Sequence, residues 1–192
     1  MERSVISVNT GTARDIEVAG RTVRTAYRKL PVPGPVEVRP LGLAGDEQVD
    51  LEVHGGLDKA VYAYPQEHYG FWATVRAQAK LAPWGEQGAL PPGSLGENLT
   101  IRGLLEADAW VGDRLRFPGC VLAVSAPRFP CFKFDHAMGF RHASKLMAQS
   151  GWCGFYLAVI EPGTIAAGDG FELLPGPREV GIRELFEARR RG

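Results

Sequence analysis

Val111-Gly-Asp-Arg-Leu-Arg-Phe117 and Ala167-Gly-Asp-Gly-Phe-Glu-Leu173 share one pattern, a Gly-Asp pair followed by alternating apolar residues. Glycine supplies the positive φ of a tight turn and aspartate hydrogen-bonds nearby backbone, so each pair is predicted to be a turn that begins a strand. Gly45-Asp46 is a candidate third copy. Repeated turns that begin strands, with few helices between them, favour a closed or nearly closed β-barrel over an open parallel sheet. The predicted fold class is therefore mainly β.

Further short β-prone runs and a few helical runs surround these turns. Strands are predicted at residues 4–8, 15–18, 22–27, 36–39, 59–64, 98–101, 114–117, 121–125, 152–160 and 170–174. Helices are predicted at 65–79, 138–149 and 180–190. Residues 82–96 are rich in Gly and Pro, which predicts a loop. We expect one domain over residues 1–177, followed by a short C-terminal helical tail over 178–192.

The overall composition limits the class of protein. The 192 residues carry 22 Lys plus Arg against 22 Asp plus Glu, which argues against a globally basic nucleic-acid binder. Three cysteines without a C-x-x-C pair favour a reduced, cytoplasmic protein over a disulfide framework. The N-terminus lacks the apolar core of a signal peptide, and the longest apolar run, 151–160, is too short for a membrane span. We expect a cytoplasmic protein with neither nucleic-acid nor membrane partners.

The segment Pro127-Arg-Phe-Pro-Cys-Phe-Lys133 is the first candidate for chemistry. Its two prolines hold the chain extended and restrict the residues before them, and its two cations favour a thiolate that can act as a nucleophile or a metal ligand. Between Arg114 and Lys145 there are six basic residues and one acidic residue, a composition that suits an anionic ligand such as a phosphate. The alternative is that Cys131 is a small core residue. Cys120 and Cys153 lie in apolar surroundings and are predicted to be packing residues.

Two glycine-containing segments are the other candidates. His54-Gly55-Gly56, followed by Lys59, places an imidazole beside backbone that can approach an anion closely. The alternative for this segment is a glycine-rich hairpin with a solvated acidic face. In Gly93-Ser-Leu-Gly-Glu-Asn-Leu-Thr100, the pair Glu97-Asn98 could hydrogen-bond a ligand or close a turn. The sequence contains no G-x-x-x-x-G-K-[ST], G-x-G-x-x-G, H-E-x-x-H or G-x-S-x-G motif, which argues against nucleotide hydrolysis, dinucleotide binding and zinc-protease chemistry.

Taken in order, these motifs resemble the MOSC domain family, and within it the stand-alone bacterial YiiM-like proteins. The resemblance extends from about residue 25 to residue 174, and six short motifs carry it. They are Gly45-Asp46, Val53-His-Gly-Gly-Leu-Asp-Lys-Ala-Val61, Tyr64-Pro65 with His68-Tyr69, Gly96-Glu-Asn-Leu99, Val111-Gly-Asp113 and Pro127-Arg-x-Pro-Cys-x-Lys133.

The resemblance implies a mixed β-barrel, related to the pyruvate-kinase barrel, with a few peripheral helices. It also implies binding of the molybdenum cofactor, with Cys131 as the catalytic residue and the protein ligand to molybdenum. Arg128 and Lys133 are then expected to contact its phosphate or oxo groups. The remaining expected cofactor-binding residues are His54, Gly55, Gly56, Lys59, Glu97 and Asn98.

For activity, the resemblance implies reduction of N-hydroxylated compounds, including N-hydroxylated purine bases. The sequence has no flavin, haem or Fe–S motif, so we expect an external flavin- or haem-type reductase to supply electrons. Pyridoxal phosphate is not expected, because the chain has no room for the aminotransferase-like domain that binds it in related fusions. A homodimer is possible on this sequence. The alternative function is a non-catalytic carrier that holds cofactor or persulfide sulfur on Cys131; a purely structural role leaves the cationic cysteine loop unexplained.

Overall fold

The structure is a computed structural model that describes residues 2–51, 54–82 and 89–191. Val53 and residues 83–88 of the predicted 82–96 loop lie outside the described residues. The strands are β1 (Ser4–Thr10), β2 (Arg14–Val18), β3 (Arg21–Thr25), β4 (Leu30–Pro31), β5 (Val36–Arg39), β6 (Gly42–Leu43), β7 (Val61–Pro65), β8 (Leu99–Arg102), β9 (Arg114–Arg116), β10 (Val121–Pro127), β11 (Phe155–Glu161), β12 (Gly163–Ile165) and β13 (Glu172–Leu174). The α-helices are α1 (Tyr69–Gln78), α2 (Phe132–Met138), α3 (Ala143–Ser150) and α4 (Ile182–Arg191).

The strands form one large mixed sheet and two small ones. The large sheet has the order β13-β9-β10-β11-β7-β8-β1-β4, and the small sheets are β12-β5-β6 and β2-β3. In the large sheet, β7 and β8 are parallel and the other neighbours are antiparallel. The prediction of a mainly β protein with few helices is confirmed.

The predicted closure of the barrel is not observed. Within the described residues β13 and β4 are the edges of an open sheet. The start of β1 does bend back toward the other end, where the Val5 N–H donates to the Asp169 carbonyl at 2.9 Å. The Gly168 N–H also donates to the Val5 carbonyl at 2.8 Å, and the Phe171 N–H donates to the Arg3 carbonyl at 3.1 Å. These bonds form one isolated bridge, Ser4 to Gly170, and do not extend into a pairing of β1 with β13.

All three Gly-Asp pairs form the same backbone turn. The N–H groups of Asp46, Asp113 and Asp169 donate to the carbonyl three residues earlier, at 3.1, 3.0 and 3.2 Å. The preceding glycines have φ values of 81°, 90° and 91°, which favour glycine. The turns at Asp113 and Asp169 lead into β9 and β13, as predicted, whereas no strand follows Asp46. At Asp113 and Asp169 the carboxylate also accepts the N–H of the residue three positions earlier, at 3.3 and 2.8 Å.

Two apolar clusters hold the sheets and helices together. One lies among the strands of the large sheet and contains Cys120, and the other packs α1, α2 and α3 against β7 and β11 and contains Cys153. The interpretation of both cysteines as packing residues is confirmed, since both are buried. Burial raises the pKa of the Cys120 thiol to about 11 and that of Cys153 well above its usual value.

Several element boundaries differ from the sequence-based predictions. The predicted helix at 138–149 is two helices, because Gly139 has a φ of 78° and ends α2. Pro65 ends β7 instead of beginning a helix, and a 3-10 turn over Gln66–His68 precedes α1. Strands β4, β6 and β12 were not predicted; they are only two or three residues long. No helix among the described residues is long and apolar enough to cross a membrane.

Candidate functional site

One open cavity brings together most of the residues singled out in the sequence. It contains about 600 Å³ of empty space, some of it continuous with solvent. Six of the nine predicted site residues line it, and they are His54, Lys59, Asn98, Arg128, Cys131 and Lys133. Side chains that were not predicted also line it, among them Tyr27, Lys29, Asp46, Tyr62 and Tyr156.

Cys131 lies at the junction between β10 and α2. Its φ of −132° and ψ of 174° are extended, as expected for a residue that follows Pro130 and precedes a helix. Its carbonyl accepts hydrogen bonds from the Phe134 N–H at 2.9 Å and the Ser144 hydroxyl at 3.2 Å. Of the three cysteines, Cys131 is the one that is only half-buried. The fold therefore fixes its backbone and leaves the thiol on the cavity wall.

Arg128 is a buried cation that lacks a counter-ion among the described residues. The side chain is 4% exposed, and its guanidinium lies over the rings of Tyr27 and Tyr62, at 5.3 and 4.9 Å from their centroids. Its Nη1 has no hydrogen-bond partner in the part of the chain that the structure describes. A buried N–H group that is charged and unpaired is costly, and an arginine fork matches a phosphate or carboxylate. This part of the cavity is therefore suited to an anion.

A buried ion pair forms another part of the cavity wall. Lys29 Nζ pairs with the Asp46 carboxylate, and both side chains are nearly inaccessible. The same carboxylate accepts the Gly11 N–H at 2.8 Å and the Asn98 side-chain N–H at 2.9 Å. Burial lowers the pKa of Lys29, and the charge of Asp46 opposes that shift. The Gly45-Asp46 turn thus places its carboxylate at the site, whereas the Asp113 carboxylate caps its own turn.

Asn98 and Glu97 form hydrogen bonds with protein groups around the cavity. The Asn98 amide accepts the Tyr62 N–H at 3.1 Å in addition to its bond to Asp46, so both ends of the amide are engaged inside the protein. Glu97 does not line the cavity, because its carboxylate is buried and accepts the N–H groups of Gly93 at 2.8 Å and Leu95 at 3.0 Å. Burial raises the pKa of Glu97. The structure therefore places the Glu97 carboxylate against the backbone of the loop that contains Gly93 and Leu95.

Gly55 and Gly56 also lie outside the cavity lining. The Gly56 N–H donates to Gln48 Oε1 at 2.9 Å, and a Cβ on Gly55 would lie 2.7 Å from the same oxygen. The N–H group of Gly56, which was expected to face an anion, is hydrogen-bonded to a glutamine that lines the cavity. The absence of a Cβ at Gly55 allows Gln48 to approach the backbone closely.

His54 forms a polar pair with Tyr156 on the cavity wall. The imidazole Nδ1 and the tyrosine hydroxyl are 2.9 Å apart. Burial, and to a lesser degree the charge of Arg128, lowers the pKa of His54 from 6.5 to about 4. The imidazole is therefore neutral at neutral pH, and it does not add to the positive charge of the arginine and lysines around it.

Comparisons with known proteins place the chain in a family. The model of the MOSC domain matches residues 50–172. The uncharacterized protein YflK of Bacillus subtilis is 37% identical over 186 residues, which cover 97% of this chain and 79% of YflK. Protein YiiM of Escherichia coli is 35% identical over 163 residues, covering 83% of this chain and 68% of YiiM. A protein of Gibberella moniliformis called a reductase is 32% identical over 159 residues, covering 82% of this chain but 27% of that protein.

Among solved structures, YiiM from Geobacillus stearothermophilus matches with a TM-score of 0.76 and 28% identity, over 98% of this chain and 84% of that one. The fold is mainly β with few helices and matches the fold of a YiiM protein with a MOSC domain. The chain belongs to the MOSC domain family, as a YiiM-like member. MOSC domains are associated with binding of the molybdenum cofactor.

Proposed function

We propose that this protein is a molybdenum-cofactor-dependent oxidoreductase that reduces N-hydroxylated compounds such as N-hydroxylated purine bases. One observation carries the proposal: the Cys131 thiol and the unpaired Nη1 of buried Arg128 lie on the same cavity wall, three residues apart in the described chain. A thiol is a suitable ligand for a metal, and a guanidinium is suited to the phosphate of a pterin cofactor. The relative from Gibberella that is called a reductase supports the reaction class.

The residues around the cavity fit this cofactor. Cys131 Sγ would be the protein ligand to molybdenum, and Arg128 with Lys133 would hold the anionic end of the cofactor. When bound, the cofactor would supply the two-electron chemistry needed to cleave an N–O bond. Lys59 also lines the cavity, and its positive charge lies close enough to His54 to act on the imidazole.

Reduction of an N-hydroxylamine breaks its N–O bond and consumes two electrons and two protons, giving an amine and water. We propose that an external flavin- or haem-type reductase supplies the electrons. The pair formed by His54 and Tyr156 is placed to pass a proton into the cavity, since a hydroxyl and a neutral imidazole can each both donate and accept. Because the pKa of His54 is lowered to about 4, the imidazole would relay a proton instead of storing one at neutral pH.

The decisive experiment compares Cys131→Ser with Cys120→Ala in protein from a host that makes the cofactor. Molybdenum per chain is measured by mass spectrometry, and reduction of an N-hydroxylated purine is measured with a reduced viologen dye as electron donor. We expect Cys131→Ser to lose both the metal and the activity, while Cys120→Ala retains both. Full molybdenum content in Cys131→Ser would contradict the assignment of the ligand.

A carrier of cofactor or sulfur is the second candidate. It is favoured by one observation, that Cys131 is only half-buried on an open cavity, which would also let a second protein reach the thiol. This function predicts no turnover with any artificial reductant. It also predicts a persulfide on Cys131, seen by intact-protein mass spectrometry as an addition of about 32 Da.

A further inference from the structure

A second groove adjoins the cavity that contains Cys131. It contains about 1110 Å³ of empty space, part of it open to solvent. Four residues, Thr25, Tyr27, Lys29 and Lys133, line both spaces. Because Lys133 and Cys131 both line the cavity and Lys133 also lines the groove, a ligand in the groove would contact a side chain that belongs to the cavity of the thiol.

The charged side chains that line the groove are all basic. They are Arg14, Arg28, Lys29 and Lys133, and none of the described residues that line the groove is acidic. Lys29 is paired with Asp46, but Arg14, Arg28 and Lys133 form no ion pair with any described carboxylate. Unpaired cations that converge on one concave surface favour a multiply charged anion.

The backbone that carries the central cations is held in place by close packing. A Cβ on Gly93 would lie 2.5 Å from the Lys29 carbonyl oxygen, and a Cβ on Gly11 would lie 2.4 Å from that of Arg28. The chain at Gly11 and at Gly93 therefore packs closely against the backbone of Arg28 and Lys29. Lys29 is buried and faces both spaces, whereas Arg28 is exposed and lines only the groove.

The rest of the groove lining is largely apolar and rigid. Ile16, Leu30, Pro31, Pro91 and Pro92 line it, and Leu30 is 57% exposed. Exposed apolar surface beside unpaired cations suits a ligand with a flat or apolar part and an anionic part. A nucleotide has this combination, because a sugar and a base adjoin its phosphate.

We propose that this groove binds the phosphate-bearing part of an N-hydroxylated nucleotide while its N–O group reaches the cavity of Cys131. The inference rests on the proposed reductase function and narrows its substrates from bases to nucleotides. Arg14 and Arg28 bind the phosphate, and Lys133 bridges the two spaces. The shared lining residues make the two spaces one continuous site.

The test compares an N-hydroxylated nucleoside monophosphate with the matching nucleoside as substrates of the holoenzyme. We expect the wild-type protein to have a kcat/KM at least about tenfold higher for the monophosphate, the factor that about 1.4 kcal/mol provides. In the double variant Arg14→Gln, Arg28→Gln, this preference falls toward one. Arg24→Gln is the matched control, since Arg24 is an exposed arginine on β3 that does not line the groove, and it keeps the preference.

A binding measurement separates this inference from the proposed function. Calorimetry with adenosine monophosphate is expected to show binding that weakens with salt and is lost in the double variant. Equal kcat/KM for both substrates overturns the inference and leaves the reductase function standing. If neither substrate is reduced but the monophosphate still binds through the two arginines, the reductase function fails and the phosphate site stands.

One further outcome would reassign the groove. If denatured holoenzyme releases a nucleotide together with the pterin, the groove holds the second half of a dinucleotide form of the cofactor. The proposal that the substrate carries the phosphate would then be wrong.

Discussion

At the residue scale, Arg128 shows how a positive charge can be buried without being neutralised. The faces of Tyr27 and Tyr62 contact the guanidinium at centroid distances of 5.3 and 4.9 Å, and aromatic faces attract cations without taking up their N–H groups. A carboxylate in the same place would form a salt bridge and leave little charge for a ligand. The tyrosines therefore orient the arginine and keep it available.

His54 provides a prediction about pH. The pKa of the folded imidazole is about 4, below the 6.5 of an unperturbed histidine, so between these values the unfolded chain binds a proton that the folded protein does not. We therefore expect the free energy of unfolding to decrease as pH falls from about 6.5 to about 4, with no further contribution from His54 below that. Urea denaturation of the wild type and His54→Gln at pH 7 and pH 5 measures this contribution as the difference between their pH dependences.

The control for this prediction is Tyr156→Phe. It removes the hydrogen bond to His54 but leaves the burial, which is the main cause of the lowered pKa. The variant should keep most of the pH dependence. An identical pH dependence in wild type and His54→Gln would show that His54 titrates normally.

Single residues were predictable where the local sequence constrains them. Cys131 and Arg128 stand out because two prolines, two cations and a thiol occur within the seven residues 127–133. Tyr27, Lys29 and Tyr156 were missed because their role depends on strand pairing between distant segments. Glu97 has the composition of a ligand-binding loop residue, but tertiary folding turns its carboxylate toward the loop backbone.

At the element scale, the loop that contains Gly96 connects backbone conformation to the site. Gly96 has a φ of 82°, and a Cβ there would lie 2.9 Å from the ring of Tyr27. The Tyr27 hydroxyl donates to the Leu95 carbonyl at 2.7 Å, and the Tyr27 ring contacts Arg128. A change in this loop is therefore expected to reach the buried cation through one aromatic ring.

The variant Gly96→Ala tests this connection. We expect it to lower the free energy of unfolding by about 2 to 4 kcal/mol, because the left-handed conformation and the clash with Tyr27 both add a cost. Gly168→Ala is the matched control, since Gly168 also has a positive φ, 91°, but a Cβ there would meet no described atom within 4 Å. The control should lose about 1 kcal/mol, the cost of the left-handed conformation alone.

Molybdenum content of the same two proteins completes the test. We expect Gly96→Ala to retain less metal than Gly168→Ala, because only the former displaces the tyrosine beside Arg128. Equal metal content would show that the position of Tyr27 is unimportant for the site.

Elements were predictable where the periodic pattern is long. The mainly β class, the helix near Tyr69 and the turns at Asp113 and Asp169 follow from patterns of five or more residues. The division at Gly139 was missed because a glycine can also be tolerated inside a helix. Strands of two or three residues contain too few positions for alternation to be recognised.

At the scale of the whole molecule, the C-terminal helix α4 packs against the segment that carries Cys131. Phe186 of α4 stacks on Phe129 with a centroid distance of 5.0 Å, and Arg189 lies over the same ring at 5.4 Å. Phe129 is two residues before Cys131. The expected tail after residue 177 is thus tied by packing to the segment that carries the thiol.

Phe186→Ala tests this support. Because the side chain is 1% exposed, we expect the free energy of unfolding to fall by about 3 to 5 kcal/mol. We also expect the variant to retain less molybdenum at a temperature at which it remains folded, since the cysteine segment loses its packing partner.

The matched control for this variant is Phe117→Ala. Phe117 is also buried, but it packs against Phe171 in the other apolar cluster. We expect a similar loss of stability with normal molybdenum content. Equal loss of metal in both variants would mean that general destabilisation, and not the position of the Cys131 segment, controls the site.

The open sheet has a consequence for self-association. Its two edge strands, β4 and β13, are two and three residues long, and proline stands in the first and directly after the second. Short edges interrupted by proline offer few free N–H groups to a strand from another molecule. The two edges of the large sheet are thereby protected against edge-to-edge aggregation, and we expect any dimer of this protein to form through other surfaces.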